Sequence, residues 1–232
     1  MRTLLPAWRG FAVIATCTLV LVLGGLALGS NMGFQITKDI VPGLPLPKGM
    51  NWISFPFNNP YGKASGVCDL LGLTSSGPNS GRCSVSRLNP ASGVFTNYTC
   101  GSNTVLSFTL TAGQCLMLRC PGLIPAVIVG SHDPAAALPL APVGGMLPKG
   151  DNWLAVPYHF VGRKADDVCE DIGLASTGPN TARGTVARLN ATSGVYQAYT
   201  CGTNTALAYT LTIGECARVR TPTALSWIPS HW

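Results

Sequence analysis

Short apolar runs closed by proline or glycine set the rhythm of this chain, with no long amphipathic stretches. "NWISFPF" at 51–57 and "NWLAVPY" at 152–158 are compact apolar segments ending at proline, the signature of short strands. The one helical pattern follows each of them. Ser65 or Asp166 stands as N-cap, an apolar "VCDLLGL" or "VCEDIGL" comes next, and Gly72 or Gly173 ends it. "SSGPNS" and "STGPNT" read as turns. "CSVSRLN-PASG-VFTNYT" and "GTVARLN-ATSG-VYQAYT" alternate as hairpins around glycine-closed loops. "SFTLTAGQCLMLRC" and "AYTLTIGECARVR" predict a further strand pair around a glycine turn, and "PAVIVG" a last strand.

The elements come in pairs because the chain repeats itself. A shift of 101 residues superimposes 63–115 on 164–216, and "LPKGMNWISFPF" at 46–57 on "LPKGDNWLAVPY" at 147–158. Between those two stretches Leu-Pro-Lys-Gly, Asn-Trp and the proline are held, while apolar positions drift among apolar types. That is the behaviour of a folding element. Ser30 aligns with Ser131, which sets the units at 30–130 and 131–232, and the terminal "PSHW" echoes "VGSHDP" at 129–134. The expected architecture is mainly β: two tandem homologous units of about 100 residues, each a small β-sandwich or partly closed barrel with one short helix.

The N-terminal 29 residues follow another logic. Arg2 and Arg9 precede an apolar run from Phe11 to Leu28, and Ala27 and Gly29 are small residues placed for cleavage before Ser30. Residues 1–29 are therefore expected to be a secretory signal, with an uncleaved membrane anchor as the alternative. Removal of Arg2 and Arg9 lowers the net charge from +6 to +4. Such a mild balance lacks the basic signature of a nucleic-acid binder. Only 10% of residues are charged, yet the apolar content argues against disorder.

Export gives the cysteines their meaning. Nine become eight once Cys17 leaves with the signal, an even number suited to disulfides in an oxidising compartment. Cys68, Cys100 and Cys115 recur as Cys169, Cys201 and Cys216, whereas Cys83 and Cys120 are replaced together by Gly184 and Thr221. Joint absence predicts a Cys83–Cys120 bond. Strand alternation puts Cys115 and Cys216 beside arginines, on the more polar face of their strands. Cys68–Cys100 and Cys169–Cys201 are then the pairs within the units, and Cys115 and Cys216 are left to bond across the units or to another chain. No tight cysteine or histidine pair of the kind zinc requires is present.

Candidate chemistry is sparse. Ser131, His132 and Asp133 are adjacent, but neighbours on an extended strand point to opposite faces, and a triad is assembled from distant segments. His159 and His231 have no base-orienting partner in the pattern. Asp166, Asp167, Glu170 and Asp171 lack calcium-loop spacing, and the first unit has no equivalent cluster. Positive charge, in contrast, recurs: Lys48/Lys149, Lys63/Lys164, Arg82/Arg183, Arg87/Arg188 and Arg119/Arg220. With Trp52 and Trp153 these could contact an anionic glycan, although a tryptophan in an apolar strand is more often a core anchor whose indole N–H finds a backbone partner. "NYT" at 97–99 and "NAT" at 190–192 are glycosylation sequons.

"SNMGF", "NWISFPF" and "NWLAVPY", "VSRLNPASG" and "VARLNATSG", "TAGQ" and "TIGE", and "VIVGSHDP" together resemble secreted bacterial proteins built from tandem copies of such a unit. The resemblance implies export and a β-rich repeat, and brings no catalytic residues with it. The leading expectation is a secreted or cell-surface, non-enzymatic protein with a structural, adhesive or self-assembling role. Its expected partner is a further copy of itself or a cell-envelope polysaccharide; no cofactor or nucleic acid is expected, and a membrane only through an uncleaved signal segment. A carbohydrate-binding module using Trp52, Trp153, Arg87 and Arg188 is the alternative, and a secreted hydrolase around Ser131, His132 and Asp133 the third.

Overall fold

The computed structural model describes residues 34–55, 58–73, 81–110, 113–131, 137–144, 146–156, 160, 164–174, 183–212 and 214–230. The expected signal segment, His132, Asp133, His159, His231 and both "GPN" turns lie outside the described residues. Residues 34–232 form one compact unit that contains both repeats.

Among the described residues each repeat contributes six strands and one short helix. The first has β1 (Phe34–Ile40), β2 (Asn51–Ser54), α1 (Ala64–Leu70), β3 (Ser84–Asn89), β4 (Val94–Thr99), β5 (Cys115–Arg119) and β6 (Ile124–Gly130). The second has β7 (Leu138–Leu140), β8 (Asn152–Ala155), α2 (Ala165–Asp171), β9 (Thr185–Asn190), β10 (Val195–Thr200), β11 (Cys216–Arg220) and β12 (Leu225–Trp227). The strands form antiparallel sheets ordered β2-β5-β3-β4 and β8-β11-β9-β10, each accompanied by a two-stranded ribbon, β1-β6 or β7-β12. Each repeat is thus a four-stranded sheet carrying a ribbon and a helix, not a closed barrel.

Local chemistry explains the recurrent motifs. Asn51 Oδ1 accepts the Val41 N–H at 2.9 Å, and its amide donates to the carbonyls of Val41, Gly49 and Leu118 at 3.0, 3.0 and 3.1 Å. Asn152 repeats this clasp with Ala141, Gly150 and Val219. One buried amide therefore fixes the incoming chain, the turn and β5 or β11. At the hairpin tips, Asn89 Oδ1 accepts from Ala91 and Ser92 N–H, and Asn190 does the same for Thr192 and Ser193. Tyr98 and Tyr199 donate their hydroxyls to the carbonyls of Ser102 and Thr203 at 3.1 Å, anchoring the loop beyond each hairpin.

Two local expectations are corrected. The helix caps are Lys63 and Lys164, so Ser65 and Asp166 lie inside the first turn. In the second repeat Asp167 accepts the Lys164 N–H at 2.7 Å, a contact that draws the helix start ahead of Asp166. "SFTL" and "AYTL" are not strands of a hairpin. They touch the residues before the helices through single bridges, Lys63 with Thr109 and Lys164 with Thr210. β5 and β11 take their partners from β2 and β3, and from β8 and β9.

Burial divides each sheet by strand parity. In β5, Leu116 and Leu118 join a core with Ile53, Val85, Val67 and the ribbon residues Ile40 and Ile128. Ala217 and Val219 of β11 do likewise with Val186, Val168, Leu140 and Trp227. The opposite faces are buried too. Trp52, Leu88, Cys115 and Met117 of the first repeat pack with Trp153, Ala155 and Cys216 of the second. The order is ribbon and helix, sheet, sheet, ribbon and helix, with the third core in the middle.

Candidate functional site at the junction of the repeats

The middle core is a contact between two copies of one surface. Trp52 and Trp153 stack with centroids 4.0 Å apart and planes 8° from parallel. Phe95 leans on Trp52 at 6.3 Å, and Tyr196 on Trp153 at 6.4 Å. Gly49 donates its N–H to the carbonyl of Ala191, and Gly150 to that of Pro90, both at 2.8 Å. Each bond joins the Lys-Gly turn of one repeat to the hairpin tip of the other. Residue i meets residue j while j's counterpart meets i's, which is an isologous two-fold contact folded within one chain. Gly93 and Gly194 (φ +73° and +72°) allow it, since a Cβ there would come within 2.9 Å of Lys149 N or Lys48 Cγ.

Four disulfides tie this arrangement: Cys68–Cys100, Cys83–Cys120, Cys169–Cys201 and Cys115–Cys216. The last crosses the junction, so no thiol of this pair is left for another chain. The expectation that Cys115 and Cys216 sit on a more polar face is corrected: they are 0% and 3% exposed, because the other repeat covers that face. Its charges are neutralised locally. Asp151 pairs with Arg218 at 3.6 Å and Arg220 at 3.1 Å, and Arg218 lies over the Tyr196 ring at 4.5 Å. In the first repeat Met50 and Met117 stand where Asp151 and Arg218 stand in the second, an apolar pair exchanged for an ionic one. Burial pushes the Asp151 carboxyl up and the two arginines pull it back.

The glycan platform is overturned. Trp52 and Trp153 are 4% and 5% exposed and spend their faces on each other, so no sugar can stack there. The Trp52 indole N–H is buried and, contrary to expectation, has no hydrogen-bond partner among the described residues. Arg87 lies 4.8 Å from the Phe108 centroid and donates to the Thr109 carbonyl at 3.0 Å; Arg188 does the same with Tyr209 and Thr210. Arg82 and Arg183 donate to the carbonyls of Gly101 and Gly202 at 3.1 Å. Ser131 exchanges backbone bonds with Asn58. The acidic cluster is absorbed in part by its own helix end, since Asp171 accepts from Trp227 Nε1 and Ser230 N–H. Among the described residues no three His, Cys, Asp or Glu side chains gather as a metal site. Both sequon asparagines, Asn97 and Asn190, are exposed.

A scan against protein-family models and searches of curated proteins and of solved structures found no match.

Two grooves of about 620 and 630 Å³ flank the junction at equivalent places, one beside Arg87 and one beside Arg188. Sequence reasoning passed over Lys38, which marks their difference. Lys38 of β1 donates to the Trp52 carbonyl at 2.8 Å, and burial lowers its pKa while Glu215 raises it. Its structural equivalent is Leu138: Lys38 pairs with Ala126 as Leu138 pairs with Trp227, at matching places in the two ribbons. Comparison of the two copies around "VPGL" and "APVG" carried the signal, but a one-residue offset there hides it from the 101-residue shift.

Proposed function

We propose that the protein is an exported, non-catalytic module with a structural role at the cell surface, built as a rigid unit that associates with further copies through its sheet edges. One observation carries the reading: the side chains that recur between the repeats are spent on holding each repeat, and the pair of repeats, together. Tryptophans stack on each other, arginines cover aromatic rings and cap carbonyls, asparagines clasp turns, and cysteines are bridged. Selection for chemistry leaves polar groups converging on a cleft, and selection for rigidity leaves them satisfied internally.

Four disulfides fit an oxidising, extracellular environment, and no helix among the described residues is long and apolar enough to cross a membrane. The motif likeness to exported tandem-repeat proteins supports the same compartment. The outer strands β4 and β10 end their sheets, and Val94 and Val195 are 60% and 61% exposed on them. Such edges are templates for strand addition.

Sedimentation velocity on residues 30–232 across a concentration series is the direct test. The expected result is reversible growth in mass that falls sharply in a Val94→Lys/Val195→Lys variant, since a charge on an edge strand discourages pairing. A species that stays monomeric at high concentration and retains no cell-envelope material in a sedimentation assay would refute the proposal.

A further inference from the structure

We propose that the groove beside Arg87 binds a small monocarboxylate with an apolar body, such as a medium-chain fatty or aryl acid, and that the ligand carboxylate takes the place Glu215 holds in the second repeat. This goes beyond a structural role and does not depend on it. The inference comes from comparing two equivalent sites within one molecule, only one of which is internally neutralised.

Beside Arg188 every charge has a partner. Glu215 lies 3.6 Å from its guanidinium, Gln197 accepts from its Nε at 2.9 Å, and the Lys38 ammonium senses Glu215 across the junction. Beside Arg87 all three partners are replaced: Glu215 by Gln114, Gln197 by Thr96 and Lys38 by Leu138. The Gln114 amide donates to the Leu88 carbonyl at 2.9 Å and carries no charge to pair with the arginine. Arg87 keeps its place over Phe108 through one bond from Nη1 to Thr109. No carboxylate among the described residues pairs with it, and the Nε edge that Gln197 occupies on Arg188 is open to an acceptor. A guanidinium edge matches a carboxylate in a bidentate fork.

The rest of the groove supplies the apolar half. Where the second groove has the Lys38 ammonium near Glu215, the first is walled by Pro139, Ala141 and Pro142 at β7 and by Pro90 and Ala91 of the hairpin tip, with Leu138 and Leu140 buried beneath them. At about 620 Å³ it falls in the range of ligand pockets, which are mostly apolar with a few placed polar groups. A neutral apolar compound would leave Arg87 without an acceptor, and a small inorganic anion would leave the proline and alanine wall uncovered. An amphipathic monocarboxylate satisfies both.

Isothermal titration of residues 30–232 with sodium octanoate below its micellar range, alongside 1-octanol, tests this. The expected result is saturable octanoate binding at one site per chain and octanol weaker by roughly tenfold or more. Gln114→Glu installs the carboxylate that Arg188 already has and should weaken octanoate by a similar factor. Thr96→Gln, which fills the Nε edge, should weaken it less, and Glu215→Gln should leave octanoate binding at the Arg87 groove unchanged. Circular dichroism melts identify any variant that has lost its fold, and the two independent partner substitutions keep the test decisive if one does. Octanoate binding no tighter than octanol, no octanoate binding at millimolar concentration, or unchanged affinity in folded Gln114→Glu would overturn the proposal.

Discussion

Lys38 is a residue whose charge works against its position. It is half-buried beside the junction, with its ammonium on the Trp52 carbonyl, and burial holds its pKa below the ordinary lysine value while Glu215 recovers part of the loss. A cation with a lowered folded-state pKa binds fewer protons folded than unfolded at alkaline pH. Its favourable contribution is complete above the unfolded value of 10.5 and is lost as pH falls through the folded value. The melting temperature should therefore climb as pH rises toward the unfolded value of 10.5, and Lys38→Met should remove most of that climb. Scans stay below pH 10 because Tyr196 and Tyr209, both raised mainly by burial, act with the opposite sign above it. An unchanged pH profile in Lys38→Met would place the effect elsewhere. Trp153 is the complementary case, wholly apolar in its work. Its stack with Trp52 fills the middle core, and Trp153→Ala should cost about 3–5 kcal/mol of stability, read from urea unfolding.

Disulfide Cys83–Cys120 joins the start of β3 to the end of β5, and the second repeat manages without it. Its counterpart Gly184 cannot simply be made cysteine: a Cβ there meets Leu174 Cδ1 at 2.6 Å and the Arg220 carbonyl at 3.1 Å. Thr221, across from it, donates its hydroxyl to the Thr223 carbonyl at 2.7 Å. A Cys83→Ala/Cys120→Ala variant should lose about 2–5 kcal/mol, whereas Gly184→Cys/Thr221→Cys should gain nothing in chemical denaturation. A stabilised double-cysteine protein would show that Leu174 yields more easily than its contacts suggest. Elements such as these differ in how openly the sequence declares them. The hairpins β3–β4 and β9–β10 were legible because Asn89 and Asn190 open their tips and glycine closes them. The pairing of Cys83 with Cys120 was legible because both vanish together. The two-sided burial of β5 and β11 was not. Arg218 and Arg220 make one face read as solvent-facing, and only contact with Asp151 and Tyr196 reveals them as interface charges. The isolated bridges that replace a strand at "SFTL" leave no periodic trace either, since one bridge fixes two residues and imposes no alternation.

At the scale of the whole molecule, the duplication behaves as a homodimer joined end to end. The Lys-Gly turn was kept twice because each copy grips the other's hairpin tip, and the tryptophan was kept twice because each covers the other. A protein built this way should unfold as one cooperative unit, with Cys115–Cys216 adding to that cooperativity without creating it. In the chain-entropy account, a bridge closing about 100 residues adds close to 5 kcal/mol by restricting the unfolded chain. Cys115→Ala/Cys216→Ala should accordingly lower the unfolding free energy by several kcal/mol while keeping the far-ultraviolet spectrum and a single transition. The single transition is the informative part. The stacked tryptophans, Met117, Leu88 and Ala155 bury a continuous apolar layer, and the mutual Gly49 and Gly150 bonds fix its register without help from sulfur. Two separated transitions in fluorescence and circular dichroism would instead mean that the bridge alone couples the repeats. The middle core would then be a seam held by one covalent bond, and the recurrence of "LPKG" and "NW" would need an explanation inside each repeat.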